Sequence, residues 1–297
     1  MLTRVFTAPS DGPHLLITGG VHGDEFEPME AIRSLIAQFD EANPLLRGRV
    51  TLVPCVNESA FLRGHRCADD GLDLARNCPG RPDGSITERT AHALSELIRQ
   101  ADFYIDLHTG GTEFSVYPLA GYVLHRDPAV LEAQRRMARA FNLPVIWGTS
   151  PELEGRSLSV ARDAGIPAIY TEYLGAATCS ADGIAAYLDG CLNVMAELEL
   201  IDRAAPPSRV ERVIEDAAPG SGHMQVQNPS PIDGCFTPSI ALGDLVEAGQ
   251  PLGTVTDILG KERHLITAAH AGIILTLRTF PRVRAGEMVA VVAALAG

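Results

Sequence analysis

The chain has 297 residues, 46% hydrophobic and 21% charged, enough to bury a sizeable core in one large domain with a small one, or in two medium ones. Its formal net charge of −13 denies it the basic footprint of a non-specific nucleic-acid binder, and an anionic substrate would need a local arginine cluster. Lys261 is the single lysine among 24 basic residues, which removes a P-loop and most Schiff-base chemistry. No apolar run is long enough to span a bilayer, and Met1–Phe6 lacks the apolar stretch of a secretory signal, so a cytoplasmic protein without membrane association is expected. The six cysteines are scattered, with no Cys-x-x-Cys pair, which argues against zinc ribbons and a disulfide framework.

In chain order, the first two hundred residues alternate short apolar runs with helical patterns, as an α/β domain does. Strands are expected at Leu15–Thr18, Val50–Pro54, Phe103–Leu107, Val145–Trp147 and Ala168–Glu172. Helices are expected at Pro28–Phe39, Thr87–Gln100, Pro128–Phe141, Ser157–Ala164 and Ala181–Leu200, the second preceded by capping residues at Ser85 and Glu88. Between Pro54 and Gly84 no period holds, and a loop of that length inside a domain is usually functional or disordered.

Composition shifts at Ala204-Ala205-Pro206-Pro207, which divides the chain into residues 1–205 and 206–297. The second part has no convincing helix and reads as short strands. It carries a faint repeat, Val246-Glu247-Ala248-Gly249 and Val283-Arg284-Ala285-Gly286, each led by a glycine at similar distance. This resembles the half-barrels of the biotinyl/lipoyl carrier fold. Lys261 lies near the carrier lysine's place but lacks its Met-Lys-Met or Asp-Lys-Ala context, so a structural β-domain is the preferred reading.

The chemistry concentrates at strand ends. After Leu15–Thr18 come Gly19-Gly20-Val21-His22-Gly23-Asp24-Glu25, where His22 and Glu25 supply two of the three ligands of a His₂Glu zinc site. Asp106-Leu107-His108-Thr109-Gly110-Gly111 puts His108 at the carboxyl end of another strand, the natural third ligand. Asp106, on the same strand face, either orients an imidazole or caps a turn, and the cap is the preferred reading. Glu172 closes a third apolar strand. His65, beside Arg63 and Arg66, is as readily a solvated loop residue as a pocket one.

Together these motifs, with Arg66, Asp73-Leu74-Ala75-Arg76 and Pro79-Gly80 between them, resemble the succinylglutamate desuccinylase/aspartoacylase family across roughly residues 13–200. The resemblance implies a three-layer α/β/α zinc-carboxypeptidase-like domain with a mixed central sheet, followed by a small all-β domain. It also implies one Zn²⁺ per chain on His22, Glu25 and His108, with Glu172 as the catalytic carboxylate. Arg66 would polarise the scissile carbonyl, and Arg76 would grip a substrate carboxylate. Arg63 either adds charge to that pocket or is solvated. The implied partner is a small N-acyl amino acid, with self-association left open. The implied reaction is hydrolysis of its amide; a carboxypeptidase or a metal-binding regulatory homologue is the alternative. Three positions depart from the family pattern: Ala75 stands where an asparagine is usual, Cys78 where a phenylalanine is, and Glu58 where a proline is.

Overall fold

The computed structural model describes residues 1–295. Its first part contains strands β1 (Arg4–Thr7), β2 (His14–Thr18), β3 (Arg49–Val53), β4 (Phe103–His108), β5 (Phe114–Val123), β6 (Val145–Thr149) and β7 (Ala168–Gly175). The helices are α1 (Phe26–Glu41), α2 (Glu58–Arg63), α3 (Ile86–Ile98), α4 (Pro128–Phe141), α5 (Ser157–Asp163) and α6 (Ala181–Glu197). Then come β8 (Arg212–Glu215), β9 (Gly234–Pro238), β10 (Leu245–Val246), β11 (Pro251–Thr256), β12 (Arg263–Thr267), β13 (Gly272–Arg278), β14 (Arg282–Val283) and β15 (Ala290–Ala293).

Strand β2 shows why the sheet is covered on both faces. All five of its residues are buried, and the period-two pleat sends Leu15 and Ile17 to one side and Leu16 to the other. Leu15 and Ile17 join Ile32 and Leu35 of α1, Met137 of α4 and Val194 of α6. Leu16 joins Ala91 and Leu94 of α3 and Leu158 of α5. The result is helix, sheet, helix in three layers.

The main sheet is mixed. β3, β2, β4 and β7 run parallel, β1 pairs antiparallel with β3, and β5 pairs antiparallel with β7. Beyond β5 the sheet forks. The first residues of β5 pair with β13, with Val116 opposite Thr276, and its later residues pair in parallel with β6, which continues to β8. Strands from both parts of the chain thus share one eleven-stranded sheet, and a smaller four-stranded sheet follows the order β12, β11, β9, β14.

The expected helices and strands form within a few residues of their predicted ends, and Ser85 and Glu88 make a capping box at α3. Three elements lack a sequence expectation. β5 contains Pro118, and its ladder slips between Val116 and Leu119, as proline in a strand requires. The exposed edge β1 buries only Phe6. α2 falls in the aperiodic stretch and buries only Ala60. The two copies of the repeated motif fall at matching places: β10 ends at Val246 and β14 at Val283, each followed by an Ala-Gly turn whose glycine has positive φ.

Candidate active site

The parallel strands deliver the site at their carboxyl ends. β2 stops at Gly19, and His22 and Glu25 follow in the turn before α1. That turn lies directly on α2: a Cβ on Gly23 would come within 2.0 Å of the Ala60 carbonyl carbon, so only glycine fits there. Asp24 crosses to the neighbouring loop and accepts the Thr112 amide at 2.9 Å, tying the β2 turn to the segment after His108.

His108 ends β4. Its Nδ1 lies 2.9 Å from Glu25 Oε2, and His22 Nδ1 lies 2.6 Å from Glu25 Oε1. The ligand atoms of all three residues lie within 4.8 Å of one another, and all three are buried. Each imidazole is gripped from behind: His22 Nε2 faces Asp73 Oδ1 at 3.2 Å, and His108 Nε2 faces Asp106 Oδ2 at 3.1 Å. Protons placed on both Nε2 atoms leave two Nδ1 lone pairs aimed at the oxygens of one carboxylate. A cation between them resolves that opposition, so the donor set fits a zinc-type ion. Burial works against the Glu25 charge, but the facing imidazoles of His22 and His108 outweigh it and hold the carboxyl well below its usual range. A proton relieves the same opposition: burial opposes a charge on His108, but Asp106 and Glu25 hold its pKa well above the ordinary imidazole range.

Asp106 is therefore not a turn cap. It is fully buried and accepts the Thr18 hydroxyl at 2.9 Å and the Ser157 hydroxyl, besides facing His108. Asp73 has a comparable double duty, since it also accepts Arg66 Nη2 at 2.9 Å and Nε at 3.1 Å. This pins the Arg66 guanidinium near the histidine cluster, with Nη1 3.3 Å from His22 Nδ1.

Glu172 on β7 is the register partner of His108 on β4. Its Oε2 is buried without a hydrogen-bond partner, and burial, outweighing the pull of His108, raises its pKa to about 8. A carboxyl in that condition gains and loses its proton close to neutral pH.

One cavity of about 140 Å³ joins His22, Glu25, His108, Glu172 and Arg66 to Arg76 and Arg156. Arg156 stands at the start of α5 and was not singled out in the sequence; its only local signal is the preceding glycine. Gly155 has φ +79°, and a Cβ there would come within 2.5 Å of the Arg76 carbonyl oxygen. The Cys78 amide also donates to Gly155 O at 2.9 Å. These contacts bring the two arginine-bearing segments together. Burial and the Arg156 charge bring Arg76 down to about 10, and burial also lowers Arg156.

Ala75 lines the same cavity, and Asn77 does not stand in for the missing asparagine, because its amide donates to Asp73 O at 2.7 Å. Arg63 does not line it. Its guanidinium donates to Ala68 O at 2.7 Å and faces exposed Asp69, which favours the solvated one of its two readings. His65 is exposed, its ring against the Cys67 backbone.

Residues 11–198 match the succinylglutamate desuccinylase/aspartoacylase catalytic domain. The chain is 30% identical to N-alpha-acetyl-L-2,4-diaminobutyric acid deacetylase of Halomonas elongata, over 95% of this chain and 82% of that one. Among solved structures, the product-bound ectoine utilization protein EutE (DoeB) of Ruegeria pomeroyi superposes with a TM-score of 0.87 at 29% identity, covering 99% of this chain and 88% of that one. A succinylglutamate desuccinylase from a Silicibacter species gives 0.87 at 25% identity, covering 98% and 87%. With its strand-end histidines, its carboxylates and most of its length accounted for in this way, the chain belongs to the succinylglutamate desuccinylase/aspartoacylase family.

Proposed function

We propose that the protein is a zinc-dependent amidohydrolase that removes the acyl group from a small N-acyl amino acid. The observation that carries this reading is the buried, unpartnered Glu172 oxygen beside the His22–Glu25–His108 cluster, in one cavity with Arg76 and Arg156, which make no salt bridge among the described residues.

His22, Glu25 and His108 would hold a zinc ion, which would supply Lewis acidity and make a water nucleophilic near neutral pH. Glu172 takes the proton of the attacking water and delivers it to the leaving nitrogen. Arg66, fixed by Asp73, offers Nη1 to the developing oxyanion. Arg76 and Arg156 bind the substrate carboxylate, each able to give parallel N–H donors to it. The small cavity favours a short substrate over a peptide C-terminus.

Replacing Glu172 with Gln tests the reading. Zinc-loaded E172Q should keep its metal and its substrate affinity and lose hydrolysis of N-acyl amino acids; undiminished turnover would remove Glu172 from the reaction.

Two finer expectations belong here. We read the C-terminal strands as akin to a carrier-type half-barrel, supported by the paired Ala-Gly turns and by Lys261 in the loop joining β11 to β12. We place the enzyme in the cytoplasm, supported by six cysteines that all stand as free thiols. Among the described residues, no helix is long and apolar enough to cross a membrane.

A further inference from the structure

The cavity has an end that the proposed chemistry does not use. Beyond the metal cluster and the arginines, its wall is built by Phe114, Val116 and Val123 of β5 and by Met224 and Met288 from the C-terminal part of the chain. Met288 is buried in a cluster with Val116, against which Phe114, Tyr170 and Met224 also pack, so these side chains form one continuous apolar surface. Polar side chains interleaved with it include the hydroxyls of Thr149, Tyr170 and Thr276, and Thr276 Oγ1 is turned toward Met224 Sδ at 3.8 Å.

Charge completes the picture. Among the described residues, the carboxylates lining the cavity are Glu25 and Glu172. The first is committed to the histidine cluster and the second to the reacting atoms. No carboxylate remains to receive an ammonium group, and Arg76 and Arg156 would repel one. A substrate group with a second negative charge would fare little better beside this wall, where it would meet methionine, valine and phenylalanine with neutral hydroxyls between them and no further cation. The two arginines line one cavity on segments that meet at Gly155 and Cys78, and together they can receive one carboxylate.

We propose that this pocket selects N-acyl amino acids bearing a single carboxylate and an uncharged, apolar side chain, with Met224 and Met288 as the residues that read that side chain. The inference rests on the deacylase reading and narrows it. It separates this chain from the Halomonas relative, whose substrate by name is a diamino acid.

The test is a panel of N-acetyl-leucine, N-acetylmethionine, N-acetyl-2,4-diaminobutyrate, N-acetylaspartate and N-succinylglutamate, assayed with zinc-loaded wild-type protein. The first two should exceed the rest in kcat/KM by about tenfold or more. A preference for the diamino or the dicarboxylic substrates overturns the apolar assignment and leaves the deacylase reading standing. Hydrolysis of none of them overturns both.

Calorimetry on zinc-loaded E172Q supplies a readout without turnover: N-acetyl-leucine should bind about tenfold more tightly than N-acetyl-2,4-diaminobutyrate, and the reverse order sinks the proposal. Met224→Glu, which sets a carboxylate in the wall, should shift the ratio of diaminobutyrate to leucine derivative upward by about tenfold in kcat/KM. A folded, zinc-loaded M224E with an unchanged ratio removes Met224 from the selection. Where M224E does not fold, the wild-type panel decides.

Discussion

Glu172 and His108 sit opposite one another on adjacent parallel strands, so the proposed base and a proposed metal ligand are held at a spacing fixed by the backbone ladder of β7 and β4. Neither depends on a loop for its height in the sheet. The expected penalty of E172Q is accordingly chemical rather than structural, about 10²- to 10⁴-fold in kcat with zinc content unchanged. Single-turnover kinetics with metal analysis on the same sample measure both.

The carboxylates behind the imidazoles give a second expectation. Asp73→Asn and Asp106→Asn each leave the three ligands in place but weaken the acceptor that fixes a ring. Zinc affinity should fall by about 10- to 100-fold in each, read by competition with a chromogenic chelator. D73N should also lower kcat in the fully zinc-saturated protein, because Arg66 loses its anchor. D106N should not show that second effect.

Arg66 and the Arg76–Arg156 pair are expected to fail differently. Arg66→Ala should lower kcat by about 10²- to 10³-fold, as loss of an oxyanion donor does. Arg76→Ala or Arg156→Ala should act chiefly on KM, raising it by about 10- to 100-fold, the loss of a charge-assisted hydrogen bond. The double variant should cost less than the product of the single effects, since both arginines hold one group.

Arg278 joins the two parts of the chain. Its side chain is 1% exposed, its Nη2 meets Glu287 at 3.0 Å and Glu113 at 3.3 Å, and its guanidinium lies 4.9 Å over the Phe114 ring. It also donates to Met288 O at 3.1 Å, so a single side chain fixes two residues of the pocket wall. Arg278→Met should lower stability by about 2–4 kcal/mol by leaving those acceptors unmatched, seen in denaturant melts. KM should rise with it.

Acid sensitivity should have a component at His14, far from the active site. The ring is buried between Gln100 O at 2.7 Å and Thr51 Oγ1 at 2.8 Å, and burial, with Arg49 close by, lowers its pKa below the ordinary 6.5. The folded state therefore binds this proton less readily than the unfolded chain. Its contribution is complete above about pH 6.5 and is lost progressively as pH falls through that value toward the folded pKa. Melts from pH 8 to 5 should show this slope in the wild type and a flatter one in His14→Gln.

What could be read from the residues followed from how locally each feature is encoded. His22 and Glu25 share one turn, and His108 and Glu172 each close an apolar strand, so a metal-site reading needed only short motifs. α2 was hidden because its exposed Phe61 and Leu62 make no buried stripe, and β5 because proline breaks its alternation. Arg156 lies eighty residues from Arg76 in the chain, and nothing in either segment announces that Gly155 brings them into contact. Arg63, by contrast, was attractive for its position beside Arg66, yet a helix ending at Gly64 turns it toward backbone carbonyls instead.

The fork in β5 bears on how substrate gets in. Because β5 is hydrogen-bonded to β13 along its first residues and to β7 beside it, a continuous ladder joins Val116 and the C-terminal strands to the strands that carry Glu172 and His108, and Arg278 ties Met288 to that frame. Swinging the wall away would require breaking that ladder and drawing buried Arg278 out of its partners. The entrance is thus a fixed port, and turnover should proceed without a domain-closure step, leaving product departure governed by the grip of the two arginines alone.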